Sequence, residues 1–173
     1  MSEQQTSVHP LPAATDSVTA LLAAWQQTDP SLDVATVAVV ARMGRIRTHL
    51  ELRMNQVFAE HGISAADFAA LSILRRHGPV QMHALADGLY LTAGTVTPRV
   101  RRLVSAGLVA VTAQPEDARV RMVALTPAGR AKFDAVVPDH LTVQAEALRT
   151  LSPTQRTQLG DLLAVLLADL ETR

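Results

Sequence analysis

The sequence predicts a mainly α protein with a small β component (α+β), and three patterns support that class. Apolar side chains recur at intervals of three and four residues through most of the 173-residue chain, as on the buried faces of helices. Two short runs, 108–113 and 120–125, alternate as paired strands do, and capping residues separate the segments. The order of helices, helix–turn–helix, hairpin and two more helices is that of a winged helix–turn–helix lobe within a helical frame.

The first third of the chain predicts a tail and two helices. Residues 1–15 are mostly polar with two prolines, so we expect a flexible tail. An extra N-terminal helix over 16–28 follows from four apolar residues at helical spacing, which are Val18, Leu21, Leu22 and Trp25. A long helix over 34–61 has the same spacing, with Gly62 as its stop.

The segment 62–125 predicts the winged helix–turn–helix lobe. Ser64 is the expected cap of its first helix, which ends before the HGP sequence at 77–79. A short helix over 82–88 leads into a further helix and then into the hairpin formed by the two alternating runs.

The last segment, 126–173, predicts two helices that complete the frame together with 34–61. Thr126 is the expected cap of the first, which we expect to run as far as Leu151 with a kink or break at Pro138. A capping signature at Ser152 opens the second, which has a leucine stripe.

The stretch TAGTVTPRVRRLV, residues 92–104, has the faces that a reader of the DNA major groove needs. Its apolar face is Val96, Val100, Leu103 and Gly107, and its opposite face is Thr95, Pro98, Arg99 and Arg102. Arginine pairs bidentately with guanine, and threonine meets phosphates or thymine methyl groups. A charged amphipathic surface helix is the alternative. Because proline lacks a backbone N–H, we expect this helix either to begin late, with Thr95 as its cap, or to bend at Thr97.

Charge is unevenly distributed along a chain whose formal net charge is zero. Residues 75–130 contain eight arginines against three acidic residues, a net charge of +5, which leaves −5 for the rest. A basic block between acidic ends is expected where one subregion meets phosphate. An ordinary mixed surface is the alternative.

The hairpin supplies a second candidate contact. Arg119 and Arg121 follow its turn, where a wing can lower an arginine into the minor groove. Asp117 lies two residues before Arg119, so the two could pair within the wing, and we assign Asp117 a shaping role.

The segment 107–130 resembles the wing signature of the MarR (multiple antibiotic resistance regulator) family. The pattern D-x-R-x-x-x-x-x-L-T-x-x-G is met by Asp117, Arg119, Leu125, Thr126 and Gly129. With the recognition segment and the helix order, the resemblance extends over about 34–171. It implies a homodimer with interlocked first and last long helices, a winged-helix reader on each subunit, and a small-molecule pocket between the dimerisation and reading lobes.

The chain departs from the family pattern at several contact positions. Val111 and Thr112 stand where many members have arginines, Ala118 follows the wing aspartate in place of arginine, and Pro98 replaces a polar residue. We therefore expect fewer phosphate contacts and a weaker dependence of DNA affinity on salt.

The extra N-terminal helix resembles the subgroup that includes urate-responsive regulators. That resemblance implies an anionic aromatic ligand, with Trp25, Arg45 and Arg99 as candidate contacts. Ala69 stands at the subgroup's aspartate position, and its second arginine is unmatched, which argues against urate. The favoured alternative is that Trp25 is a hydrophobic anchor for the extra helix.

Composition and motifs argue against other classes. The absence of cysteine excludes thiol redox sensors and cysteine-ligated metal sites, and six histidines show no metal-binding spacing. A metal-responsive regulator would need distant histidines to converge. Without catalytic or cofactor motifs we expect no enzyme activity and no cofactor, and without a signal peptide or apolar span we expect a cytoplasmic protein.

The sequence thus predicts a homodimeric transcriptional regulator, most simply a repressor, that binds a pseudo-palindromic operator and is released by a small effector. The candidate DNA contacts are Thr92, Thr95, Thr97, Arg99, Arg102, Arg119 and Arg121. The competing class is a helical protein–protein interaction module whose winged helix does not bind DNA.

Overall fold

A computed structural model describes residues 16–113 and 120–173, which form seven helices and three short strands. The helices are α1 (Ser17–Thr28), α2 (Val34–Glu60), α3 (Ala65–His77), α4 (Met82–Gly88), α5 (Ala93–Ser105), α6 (Pro127–Ala147) and α7 (Pro153–Glu171). The strands are β1 (Val80–Gln81), β2 (Val109–Ala113) and β3 (Arg121–Leu125). This order confirms the predicted α+β class. The predicted N-terminal tail lies outside the described residues.

The chain divides into two compact units, with the boundary between His49 and Leu50 inside α2. In the first unit, Asp16 caps α1 by accepting hydrogen bonds from the amides of Val18 and Thr19. Arg42 of α2 donates from Nε to Asp16 Oδ2 at 2.8 Å. Hydrogen bonding from the Arg42 guanidinium, and then from the Thr19 amide, lowers the pKa of Asp16 to about 2. One carboxylate therefore both starts α1 and ties it to α2.

The second unit contains the helix–turn–helix. Ser64 caps α3, because its Oγ accepts a hydrogen bond from the Asp67 amide at 3.1 Å. Gly62 ends α2 with φ of +60°, a left-handed conformation that favours glycine. The predicted stop and cap are therefore confirmed, and α4 has the predicted bounds 82–88.

The hairpin belongs to a three-stranded antiparallel sheet in the order β1-β3-β2. Val123 is its centre, since it pairs with Val80 on one side and Val111 on the other and is fully buried. Strands β2 and β3 each begin one residue later than the predicted runs 108–113 and 120–125. Strand β1 was not predicted. With only two residues it shows no alternation, and it exists through its pairing with β3.

A close approach joins the hairpin to α6. Thr126 donates from its amide to the Leu108 carbonyl at 3.1 Å and from Oγ1 to the Gly107 carbonyl at 2.6 Å. The Gly129 amide donates to Thr126 Oγ1 at 3.0 Å, and a Cβ on Gly129 would lie 2.0 Å from the Leu108 carbonyl oxygen. The L-T-x-x-G pattern is thus a junction that requires a threonine cap and no side chain at position 129.

The last two helices differ partly from expectation. Helix α6 continues through Pro138 and ends at Ala147, so a break at Pro138 is wrong and the helix stops short of Leu151. A kink at Pro138 stays a prediction. Turns at 148–150 and a bend at 151 separate α6 from α7. Ser152 opens α7 with a reciprocal capping box, as predicted.

Two apolar clusters hold the second unit together. The larger joins α3, α4, α5, β2 and β3 around the fully buried side chains of Leu71, Leu85, Val96 and Val123. The smaller joins the end of α2 to α3 and α6, with the Phe58 and Phe68 rings 5.0 Å apart. Each buried core side chain of this size stabilises the fold by about 1.5–3 kcal/mol. The winged lobe is therefore a packed support for α5.

Candidate nucleic-acid interface

Helix α5 separates its apolar and polar residues onto different faces, as its sequence predicts. Val96, Val100 and Leu103 are 0–2% exposed and pack into the larger cluster. The side chains on the outward face, Thr95, Pro98 and Arg102, are exposed. Because the inward face is fixed by packing, the outward face is presented in one orientation relative to the lobe.

The beginning of α5 decides between the two expectations for Pro98. The helix begins at Ala93 with Thr92 as an extended cap residue, and the Val96 amide donates to the Thr92 carbonyl at 3.1 Å. The late start with Thr95 as cap is therefore wrong, since the earlier turn is already formed. Pro98 is the sixth helical residue, so the Gly94 carbonyl lacks its usual amide donor. A bend at Thr97 stays a prediction.

The hydroxyl groups around this first turn lie together on the surface. Thr92 Oγ1 and Thr95 Oγ1 are 3.0 Å apart, and neither side chain is buried. The Thr92 side chain does not cap the backbone of α5. The half-buried Thr97 donates from Oγ1 to the Ala93 carbonyl at 2.8 Å, so its proton is engaged within the helix.

The two candidate arginines of α5 both reach the first turn of α3. Arg102 Nη2 lies 2.5 Å from Asp67 Oδ1, a carboxylate whose side chain is only 12% exposed. Arg99 Nη1 donates to the Ala66 carbonyl at 3.4 Å. These contacts link α5 to α3, a role that the sequence did not indicate because the partners are 33 and 35 residues away.

The wing candidates are only partly described. Arg121 begins β3 opposite Ala113, and its side chain is exposed. Asp117 and Arg119 lie outside the described residues, so their pairing and their contacts stay predictions.

Comparison with known proteins identifies the class. The family profile described as MarR family matches residues 63–120. The chain is 28% identical over 142 residues to the HTH-type transcriptional regulator PecS of Dickeya dadantii (strain 3937), covering 80% of this chain and 86% of PecS. The chain belongs to the MarR family.

Solved structures agree with that family assignment. A probable transcriptional regulator from Pseudomonas aeruginosa is 31% identical, with a TM-score of 0.61 over 74% of this chain and 98% of that one. Bordetella bronchiseptica BpsR, described in a study of the regulation of its DNA binding by 6-hydroxynicotinic acid, is 26% identical, with a TM-score of 0.67 over 79% of this chain and 96% of that one. DNA binding and transcription regulation are thus the functional class of this MarR-family chain, and its relatives are regulators.

The ligand candidates of the MarR-family chain are divided between the two units. Trp25 on α1 and Arg45 on α2 belong to the first unit, and both side chains are exposed, with Trp25 at 42%. Arg99 belongs to the second unit and is half-buried against α3.

The histidines of the chain give no metal site within residues 16–113 and 120–173, where no three His, Cys, Asp or Glu side chains are grouped to hold an ion. His140 lies among aromatic rings, with its ring 4.9 Å from that of Phe68 and 5.9 Å from that of Phe58. Burial lowers the pKa of His140, which favours a neutral packed ring.

The helices do not meet the requirements of a membrane span one by one. None of the described helices is long and apolar enough to cross a bilayer alone. Only α2 and α3 together reach the length and composition, and they are bent by 81° at their junction.

Proposed function

We propose that the chain acts as a homodimeric, ligand-responsive repressor that binds a pseudo-palindromic operator through α5 and the wing of each subunit. The observation that carries this proposal is the division of α5 into a buried apolar face and an outward face of hydroxyl groups, guanidiniums and Pro98. Two such helices related by a two-fold axis would enter successive major grooves about one DNA turn apart.

Apolar surface on the frame helices supports the homodimer. Among the residues that the structure describes, none in α7 is buried, and its leucines point to solvent: Leu159, Leu162, Leu163, Leu166, Leu167 and Leu170. In the first unit, Val40 and Ile46 of α2 are also more than half exposed. Exposed apolar side chains that recur along one helix, as in α7, mark an interaction site. We assign dimerisation to 34–61 and 126–173, and DNA reading to 62–125.

The DNA contacts follow from the two elements of the lobe. Thr92, Thr95 and Thr97 at the start of α5, with Arg99 and Arg102 further along it, are assigned to the major groove and its phosphates. Arg119 and Arg121 are assigned to the wing, with Asp117 shaping it. Because Arg99 and Arg102 also hold α5 on α3, their replacement should alter both contact and helix position.

A small effector is assigned to regulate this binding. The support is the likeness to BpsR, whose DNA binding is described as regulated by 6-hydroxynicotinic acid, an aromatic acid. Trp25, Arg45 and Arg99 are the candidate contacts. An effector that prefers one spacing of the two α5 helices lowers DNA affinity only by its difference in affinity for the two states.

Titration of labelled duplex from the upstream region of the gene, at several salt concentrations, tests the proposal. We expect Arg99→Ala combined with Arg119→Ala to weaken binding at least tenfold and to reduce the salt slope by about 0.9 for each phosphate that is no longer neutralised. Arg149→Ala, an exposed arginine beyond α6, is the control and should bind as wild type does. Undetectable binding at low salt, or indifference to the double substitution, would favour the protein-interaction module.

A further inference from the structure

A cleft of about 630 Å³ lies between α5 and the hairpin, beside the start of α4. Its polar residues are Thr97, Arg101 and Ser105 from α5 and Arg121 from β3, and the rest of its lining is apolar. Thr97, Arg101 and Ser105 are spaced four residues apart, so they form a third stripe on α5, between its buried face and its outward face. The cleft brings cations from two elements to one surface.

The charge in this cleft is one-sided. None of its described lining residues is acidic, and both arginines are exposed. Within residues 16–113 and 120–173, neither Arg101 nor Arg121 forms an ion pair with a carboxylate. Arg102, the neighbour of Arg101, is paired with Asp67 and thereby serves the fold. Two guanidiniums that have no carboxylate partner among the described residues and line one cleft would both attract an anion placed between them.

The position of Arg121 extends this basic surface toward the start of α5. Arg121 also lines an adjacent cleft of about 370 Å³, together with His83 of α4 and Ala93, the first residue of α5. The lining residues that the structure describes for that cleft are likewise without an acidic side chain. Open basic clefts beside the first turn of α5 are placed where the DNA backbone would run if α5 enters a groove.

We propose that Arg101 and Arg121 form an oxyanion site that binds one backbone phosphate of DNA and so fixes how α5 is seated in its groove. Guanidinium groups match phosphate oxygens in geometry and charge, and phosphate contacts set register without reading sequence. Ser105 supplies a hydroxyl donor, since the proton of Thr97 is engaged with Ala93. This site rests on the proposed DNA-binding function, and it gives Arg121 a phosphate contact in place of minor-groove insertion.

A double-mutant cycle on the full-length chain tests the site, with wild type, Arg101→Ala, Arg121→Ala and the double variant titrated against operator and unrelated duplexes. We expect each single variant to bind both duplexes about tenfold more weakly. In the single variants, the slope of log affinity against log salt concentration should decrease in magnitude by about 1.8. Each of the two subunits loses one phosphate contact, which accounts for about 0.9. Since both arginines share one phosphate, the double variant should lose less than the product of the single losses.

Three results would overturn the site. Unchanged affinity and slope in the single variants removes the assignment, and a loss confined to the operator duplex means base reading. Strictly multiplicative losses mean two separate phosphates. Arg130→Ala, an exposed arginine on α6 that does not line either cleft, is the control, and equal urea midpoints for all variants show that folding is intact.

A second arm distinguishes a DNA phosphate from a free anion. In the absence of DNA and at constant ionic strength, inorganic phosphate should raise the stability of wild type more than that of the double variant. In a separate titration with DNA present, it should compete with duplex for wild type. If the arginine pair binds phosphate but its removal leaves duplex affinity unchanged, the occupant is a free anion and the DNA assignment is wrong. If wild type binds no duplex at low salt, the proposed function itself fails, whatever the pair binds.

Discussion

Gly129 shows why a pattern residue cannot be replaced. The position beside it is filled by the Leu108 carbonyl oxygen, which a Cβ would approach to 2.0 Å. We expect Gly129→Ala to push α6 away from β2 and to weaken the Thr126 hydrogen bonds, lowering the free energy of unfolding by about 1–3 kcal/mol. A lower midpoint in urea with an unchanged m-value would measure that loss.

Gly160→Ala is the matched control for this prediction. A Cβ on Gly160 meets nothing within 4 Å, and alanine favours a helix over glycine by about 1 kcal/mol. The control should therefore unfold at an equal or higher urea concentration than wild type. Similar midpoints for both variants would show that the 2.0 Å approach is relieved at no cost.

Arginine contacts mark the limit of sequence reasoning at this scale. The spacing of α5 placed Arg102 on the outward face, and its side chain is indeed 59% exposed. Nothing in the sequence pairs it with Asp67, because that contact depends on how α3 packs against α5. Arg101 is missed for a related reason: a division of α5 into two faces hides a third stripe that faces the hairpin.

At the scale of elements, Pro98 is the residue that we expect to destabilise its helix most clearly. It lies inside α5, where its missing N–H leaves the Gly94 carbonyl without the usual helical donor. We expect Pro98→Ala to raise the free energy of unfolding by about 2 kcal/mol, the cost of an interior proline less its effect on the unfolded chain. Urea unfolding of the two proteins measures the difference.

Pro127→Ala is the control, because Pro127 occupies the first turn of α6, where proline is tolerated. It should change the midpoint little or lower it slightly. Equal effects of the two substitutions would mean that α5 already accommodates Pro98 without loss.

Most elements could be predicted because their signals are local. Ser64, Thr126 and Ser152 cap their helices through residues within three positions, and such signals are visible in one stretch of sequence. Strand β1 could not be predicted, since its pairing of Val80 with Val123 spans more than forty residues. The break predicted at Pro138 is absent for the opposite reason. Proline is a local signal for a helix break, but packing of Val136 and Val143 in the smaller cluster holds the helix together on both sides of it.

At the scale of the whole molecule, the basic charge and the exposed leucines lie in different parts of the chain. The basic block, 75–130, contains α5 and the hairpin strands, while the most exposed leucines lie in α7, outside it. A net charge of zero therefore conceals a basic block and says nothing of an exposed leucine stripe, so an averaged composition could predict neither.

The assembly surface leads to a prediction about oligomeric state. Leu163 and Leu166 of α7 are 39% and 47% exposed in the single chain, and a homodimer would cover them. We expect Leu163→Glu combined with Leu166→Glu to dissociate the dimer, because two-fold symmetry buries each unpaired carboxylate twice. Sedimentation equilibrium should then report a mass near the 18.5 kDa of one chain, against twice that for wild type.

Ala168→Glu adds a carboxylate to the side of α7 away from these two leucines, and it should remain dimeric. Loss of dimer in this control would mean that any added charge on α7 disrupts assembly. A wild-type mass of one chain would remove the homodimer and, with it, the pairing of two α5 helices across one turn of DNA. Retention of the dimer in the double variant would instead place the interface away from Leu163 and Leu166. An unpaired carboxylate buried at either position would destabilise the dimer.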